Sequence, residues 1–367
     1  MQLTNIISAL AVSTLAMCVS AQSPGATVVD NIKAVAANGT AKEYTLATTL
    51  RLASSIEAVV KAISVTDKNF TIFAPTDKAF ADFTAANPET IVALTTNQTL
   101  LSGALFYHVI PSGAFDPKGA PAKQFVATAN THNYLQVNVE GDKVNLVYDQ
   151  GNAAVIDSIA SSNGIIHVID KVMTPPRPAP VVAKEAGLTQ LLGAVVSSNL
   201  TEVATDLKNG TLFAPTDKAF ETVLAFAKEN KLELTPTLLA GILKFHVVQG
   251  AIFSTNIVGS AKMGSLATAL AGESLNYTVE GDVVKVYGAG QTALKLSPAT
   301  VTKTDILVNG GVVHLIDAVL LPNITNAGNA AVVATPAGPG ATNAAGMVAV
   351  SSMTLMGALA AAMALVM

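Results

Sequence analysis

The octapeptide FAPTDKAF stands at residues 73–80 and again, unchanged, at 213–220. Phe70 to Phe73 favours a strand, and Pro75 pushes Ala74 away from helical geometry. Thr76 or Asp77 is then placed to accept hydrogen bonds from the open N–H groups of a helix beginning at Lys78, with negative charge at its positive end. Phe80 and Phe83 are three apart and share one helix face. Thr216, Asp217 and Phe220 repeat the arrangement. The octapeptide therefore reads as a strand-to-helix junction used twice. A phosphate cradle at this place would need glycines that let the backbone approach, and the loop has none.

Other segments recur in the same order. FYHV at 106–109 returns as KFHV at 244–247, VEGD at 139–142 as VEGD at 279–282, and GIIHVID at 164–170 as GVVHLID at 311–317. The last offset is 147 residues rather than 140, so the second copy carries a short insertion between Gly288 and Thr304. A period of this length far exceeds a solenoid repeat of about 20–50 residues, and each copy is able to bury its own core. Within a copy, apolar residues at Leu46, Leu50, Ile56, Val59, Val60 and Ile63 are spaced as in a helix. NYLQVNVEGDKVNLVYD (133–149) and LNYTVEGDVVKVY (275–287) alternate about a Gly-Asp turn and predict β-hairpins.

The ends carry addresses. Residues 1–21 are free of charge, apolar from Ile6 to Val19 and small at Val19 and Ala21, the pattern of a secretory signal peptide. Met353 to Met367 is apolar and follows small residues, the layout of a GPI-attachment signal with Asn343 as the attachment residue and Gly340 as the alternative. A single membrane span is the competing reading of 347–367, against which stands the absence of any following Lys or Arg. Residues 22–176 form a first domain and 182–322 a second. They are joined by a Pro-rich linker at 177–181, within a stiff hinge that opens with TPPRPAP at 174–180. A low-complexity stalk at 323–343 and a GPI propeptide at 344–367 follow.

The one cysteine, Cys18, lies in the signal peptide. A thiol nucleophile and a Cys-rich metal site are thereby excluded from the mature chain. Seven Asn-x-Ser/Thr sequons, at Asn38, Asn69, Asn97, Asn199, Asn209, Asn276 and Asn323, predict a glycoprotein. Asn69 and Asn209 precede the octapeptide at the same place in both copies, which predicts a solvent-facing, glycosylated edge there. The net charge of −4, without a basic cluster, argues against nucleic acid as a partner.

Four of the five histidines recur, His108 with His246 and His167 with His314, each inside an apolar run. In a strand His167 and Asp170 point to opposite faces, which spoils them as a ligand pair or as a base and its orienter. These histidines are expected to be core residues bonded to backbone, with no metal and no cofactor. The recurring acids are Asp77/Asp217, Glu140/Glu280, Asp142/Asp282 and Asp170/Asp317. A hydrolase acting on wall polysaccharide would need two such carboxyls facing each other in a cleft, and a small-ligand or lipid carrier would need a large apolar cavity.

The order of these segments resembles that of the fasciclin-like (FAS1) domain family. TIFAPTDKAF and TLFAPTDKAF match its first box, LFYHVIPSG and LKFHVVQGA its middle Tyr-His segment, and GIIHVIDKVMTPP and GVVHLIDAVLLP its last box. The resemblance implies an α+β fold, two tandem domains each with a seven-stranded, wedge-like β assembly and packed helices. It also implies non-catalytic adhesion or matrix binding at the cell surface, with a wall polysaccharide or extracellular glycoprotein as partner, self-association as a further possibility, and the membrane reached only through a lipid anchor. The family's adhesion features fall on Tyr107-His108 in the first copy and Asp305-Ile306 in the second. The first copy has Ser158-Ile159 where the second has the Asp-Ile pair, and the second has Phe245-His246 where the first has Tyr-His.

Overall fold

The computed structural model describes residues 25–38, the single positions 46, 48, 52 and 61, and residues 69–323 apart from 114, 118–119, 150, 206, 230–234 and 260–261. The signal peptide, the GPI signal with Asn343 and Gly340, almost all of the stalk, and most of the helix expected at 46–62 lie outside the described residues.

Each copy carries a seven-stranded sheet. In the first, β1 (Phe70–Pro75), β2 (Val109–Ile110), β3 (Lys123–Ala127), β4 (Tyr134–Glu140), β5 (Lys143–Tyr148), β6 (Gly151–Ser161) and β7 (Gly164–Ile169) are ordered β2-β1-β7-β6-β5-β4-β3. In the second, β8 (Gly210–Pro215), β9 (Val247–Gln249), β10 (Met263–Ala267), β11 (Ser274–Glu280), β12 (Val283–Tyr287), β13 (Ala299–Val308) and β14 (Gly311–Ile316) are ordered β10-β11-β12-β13-β14-β8-β9. The α+β class and the pair of seven-stranded sheets agree with the sequence expectation. The octapeptide strand is second from one edge in both. β1 runs parallel to β7 from Phe70↔Gly164 to Pro75↔Ile169, and β8 runs parallel to β14 from Gly210↔Gly311 to Pro215↔Ile316. A strand buried along its whole length suits a parallel partner, and β1 is buried at all six positions.

The chain forms two compact units, one from 1–117 with 153–172 and the other from 118–152 with 173–367. The first holds α1 (Val28–Asn38), α2 (Asp77–Ala86), α3 (Pro88–Thr96) and α4 (Gln98–Tyr107) with β1, β2, β7 and most of β6. Helix α1 is tied to the β6–β7 turn, since Val28 N donates to Asn163 Oδ1 at 2.8 Å and Asn31 Nδ2 to the Ala160 carbonyl at 3.1 Å. Pro88 ends α2 and occupies the first turn of α3, the one helical position that tolerates its missing N–H.

The second unit holds the β3–β5 meander and the second copy. Its helices are α5 (Ala179–Glu185), α6 (Thr189–Ser197), α7 (Thr201–Thr205), α8 (Asp217–Glu229), α9 (Pro236–Phe245), α10 (Ser254–Val258) and α11 (Ala289–Ala293). The expected hairpins are present, with Glu140↔Lys143 and Glu280↔Val283 closing turns in which Gly141 (φ 60°) and Gly281 (φ 63°) are left-handed. The four carboxyls of these turns, Glu140, Asp142, Glu280 and Asp282, are solvent-exposed. The expected insertion is α11 and the turn after it, which separate β12 from β13, whereas β5 leads almost directly into β6.

Candidate functional site

The octapeptide threonine, not its aspartate, caps the helix. Thr76 Oγ1 accepts from Ala79 N at 3.1 Å and Thr216 Oγ1 from Ala219 N at 3.3 Å. The aspartates reach sideways instead. Asp77 Oδ1 accepts from Thr48 N at 2.7 Å; Asp217 Oδ1 accepts from Gln190 N at 3.0 Å and Oδ2 from the Thr189 hydroxyl at 2.5 Å. Each copy thus staples the preceding segment to the start of its central helix. Phe80 is half-buried and Phe220 buried.

The four recurrent histidines are buried, and each is hydrogen-bonded to a backbone carbonyl. His246 Nε2 accepts from Leu320 N at 2.9 Å, so the proton sits on Nδ1, which donates to the Ile242 carbonyl at 2.8 Å. His108 makes the matching Nδ1 bond to Ala104 at 2.8 Å. Burial pushes both imidazoles down to about 4. His314 Nδ1 accepts from Asp305 N at 3.1 Å while Nε2 donates to the Ile252 carbonyl at 2.8 Å. His167 bonds Ser158 Oγ at 2.8 Å through Nδ1 and the Phe115 carbonyl at 2.9 Å through Nε2, with its ring stacked on Phe73. Burial lowers both of these groups as well. His167 and His314 thus pin loops to the sheet and His108 and His246 close helix ends, and all four rings stay neutral near pH 7. Asp170 and Asp317 follow the last residues of β7 and β14 and accept from Ala154 N at 2.7 Å and Thr300 N at 2.6 Å.

The sequons before the octapeptide have a second use that their pattern conceals. Thr71 Oγ1 donates to the Gly113 carbonyl at 3.0 Å and accepts from Phe115 N at 2.6 Å. Thr211 Oγ1 makes the same bridge, to the Gly250 carbonyl at 2.7 Å and from Ile252 N at 2.8 Å. Both threonines are fully buried. The recurrence of Asn-x-Thr here therefore has a cause in the fold, independent of any sugar. Asn69, Asn97, Asn199 and Asn323 are exposed, and Asn209 and Asn276 are half-buried. Asn97 also caps α4, accepting from Thr99 N at 3.0 Å, and the Asn209 side chain accepts from the Tyr134 hydroxyl. Three variants separate the two uses. Asn69→Gln, which removes the acceptor amide of the sequon, should leave the unfolding midpoint nearly unchanged. Thr71→Ser should keep both uses. Thr71→Val, which strands the buried Phe115 N–H and Gly113 carbonyl, should cost about 1–3 kcal/mol in denaturant unfolding.

Two of the four candidate adhesion residues are buried and two are half-buried. Tyr107 and His108 are buried at the end of α4. Ile306 is half-buried and packs on the core of the second copy. The Asp305 side chain, only 3% exposed, takes a bond from Lys123 Nζ at 2.7 Å, from Ser254 N at 2.8 Å and from the Ser254 hydroxyl. Burial alone would raise this carboxyl, but the bonds from Lys123 and Ser254 outweigh it and hold the group below the usual carboxylate value. The stem beside it is aromatic: Phe125 stacks on Phe253 with centroids 4.0 Å apart, and Tyr134 meets the same ring edge-on at 5.1 Å. Lys123, Phe253 and Ser254 have no marker in the sequence, because Lys123 lies 182 residues from its partner. In the second unit Arg177, from the linker, clasps Asp149 through Nε at 2.5 Å and Glu185 through Nη1 at 2.5 Å. Among the described residues no group of three His, Cys, Asp or Glu could hold a metal ion, and no helix is long and apolar enough to cross a membrane.

Comparison with known proteins places this geometry. The fasciclin domain model matches residues 45–175 and again 186–322. The chain is 29% identical over 269 residues to a fasciclin-like arabinogalactan protein of Arthroderma benhamiae, a match spanning 70% of this chain and 59% of that one. It is 30% identical over 165 residues to human periostin, across 44% of this chain and 18% of the relative. It is 26% identical over 266 residues to the transforming growth factor-beta-induced protein ig-h3 of Sus scrofa, across 70% and 35%. The chain thus spans less than two thirds of the length of each of these relatives. A solved FAS1 domain pair from the insect cell adhesion molecule fasciclin I covers 77% of this chain and 98% of its own at 19% identity, with a TM-score of 0.34. Matched twice, over most of its described length, the chain belongs to the fasciclin family and carries two of its domains in tandem.

Proposed function

We propose that this chain is a non-catalytic glycoprotein of the cell surface that mediates adhesion or wall and matrix contact. One observation carries the reading: outside the exposed hairpin turns, recurring threonines and aspartates make the same internal bonds in both copies. Thr76 and Thr216 cap helices, Asp77 and Asp217 staple segments, Thr71 and Thr211 bridge loops, and Asp170 and Asp317 hold strand ends. What recurs is scaffold, so partner contact falls to the exposed surfaces that differ between copies. Four of the sequon asparagines, Asn69, Asn97, Asn199 and Asn323, are themselves exposed. In this reading Tyr107, His108, Asp305 and Ile306 shape the contact surface from beneath. Sugars at exposed sequons solubilise the surface, and a GPI anchor at Asn343, or at Gly340, tethers the stalk to the outer leaflet, with transfer to the wall as a further step.

The test is binding of the released glycoprotein to an array of wall polysaccharides and extracellular glycoproteins and to whole cells. Saturable binding to one class is expected, and Asp305→Asn should change it only as far as it changes the unfolding midpoint. A protein that binds nothing while shortening a polysaccharide would overturn the reading. Release from cells by a phosphatidylinositol-specific phospholipase is the expected result for the anchor.

A further inference from the structure

The two copies differ at one core position in a way that leaves a hole. Helix α4 aligns with α9 residue for residue: Leu100-Leu101-Ser102-Gly103-Ala104-Leu105 stands against Leu238-Leu239-Ala240-Gly241-Ile242-Leu243. The match extends to the bonds, since the Ala104 and Ile242 carbonyls each receive the Nδ1 bond of the histidine that ends the helix. In the second copy Ile242 is buried in the core beside Phe220 and Leu243. In the first, Ala104 is three carbons shorter and lines a cavity of about 130 Å³. Its other walls include Ile72 and Phe73 of β1, Phe80 of α2 and Ile91 and Leu94 of α3.

The cavity is built of apolar surface, and its polar side chains are already engaged. Among the described lining residues Thr95 and His108 are the two with polar side chains. The Thr95 hydroxyl turns back to the Ile91 carbonyl at 2.9 Å, and His108 Nδ1 is held by Ala104. A site of this kind is a poor host for water, which needs two to four polar partners, and an apolar cavity of roughly 150 Å³ stays dry and takes up benzene or xenon. No charged group stands among the described lining residues to hold an ionised head. The roof is loosely seated: α3 buries none of its residues, Ile91, Leu94, Leu101 and Leu105 are half-buried, and Val92 and Leu100 on the same two helices are open to solvent. Where α2 and α3 break at Asn87-Pro88, the second copy continues α8 unbroken to Glu229.

We infer that the first fasciclin domain binds a small neutral apolar molecule, an aromatic ring or a short alkyl chain of about six to eight carbons, in the space that Ile242 fills in the second domain. This activity is separate from surface adhesion and uses none of its exposed faces.

The test titrates the intact glycoprotein with toluene and with 1-hexanol, using hexanoate as the charged control, and follows thermal unfolding together with methyl chemical shifts. Saturable binding of both neutral probes with a raised midpoint is expected, because a ligand held only by the folded state stabilises it; hexanoate should bind at least tenfold more weakly. Ala104→Ile, the residue the second copy already accommodates, should raise the unliganded midpoint and weaken binding at least tenfold. Ile242→Ala should open a second site and raise the stoichiometry from one to two. If that variant does not fold, Ala104→Ile decides the matter. No saturable binding to the wild-type protein, or unchanged binding in Ala104→Ile, overturns the inference.

Discussion

Gly311→Ala should unfold the second fasciclin domain under conditions in which the wild type is fully native. Gly311 opens β14 opposite Gly210 of β8, and a Cβ added there would fall 1.9 Å from the Gly210 carbonyl oxygen. Gly164 has the same task at the start of β7, where a Cβ would meet the Phe70 oxygen at 2.1 Å in a backbone that is already at φ 154°. Overpacking usually costs about 1–3 kcal/mol because side chains rotate away. Here the obstacle is the main chain of the paired strand, so relief requires β14 to leave β8, and the cost should reach about 3 kcal/mol or more. Gly193→Ala is the control: it lies within α6 with open space around it, and should stabilise by up to about 1 kcal/mol. Two-step denaturant unfolding, with one step lost in Gly311→Ala and the other in Gly164→Ala, is the expected record. A wild-type midpoint in either variant would refute the argument.

Acid should weaken both domains well before the carboxylates titrate. His108 and His246 are fully buried, and burial lowers them from 6.5 to about 4. Their neutral forms belong to the native state, so between pH 6.5 and 4 the unfolded chain binds more protons and stability falls as pH falls. At pH 5 the solution is about 1.5 units below the unfolded value and still above the folded one, a loss of about 2 kcal/mol apiece at 1.36 kcal/mol per unit. Each domain carries one of the two, so each unfolding step should lose about 2 kcal/mol, and His167 in the first domain and His314 in the second act in the same direction. Urea midpoints measured at pH 7.5, 6, 5 and 4 should therefore drop steeply below pH 6.5. A profile that stays flat down to pH 4.5 would show that these rings are not held neutral.

Local chemistry made the scaffold legible in the sequence. Proline after a β-rich run, a threonine cap and paired phenylalanines describe the octapeptide junction without reference to anything distant. Alternation about Gly-Asp describes the hairpins equally well, and the 147-residue offset located α11. Two features escaped because they depend on what lies across space. Thr71 and Thr211 were visible only as parts of sequons, since the loop carbonyl and N–H that they bridge lie about forty residues downstream. Asp305 looked like a surface contact because its pattern carries no sign of Lys123 or Ser254. The cavity beside Ala104 escaped for a related reason: one alanine in a helix means nothing until its neighbours fail to fill the gap.

The bond between Lys123 and Asp305 has a genetic consequence. A deletion that joined the two identical octapeptides would remove residues 81–220 and leave a single hybrid domain. That hybrid keeps Asp305 and Phe253 but loses Lys123, Phe125 and Tyr134. An enclosed carboxylate without its cation costs on the order of 3 kcal/mol. A chain shortened in this way would carry an enclosed charge that the two-copy chain neutralises.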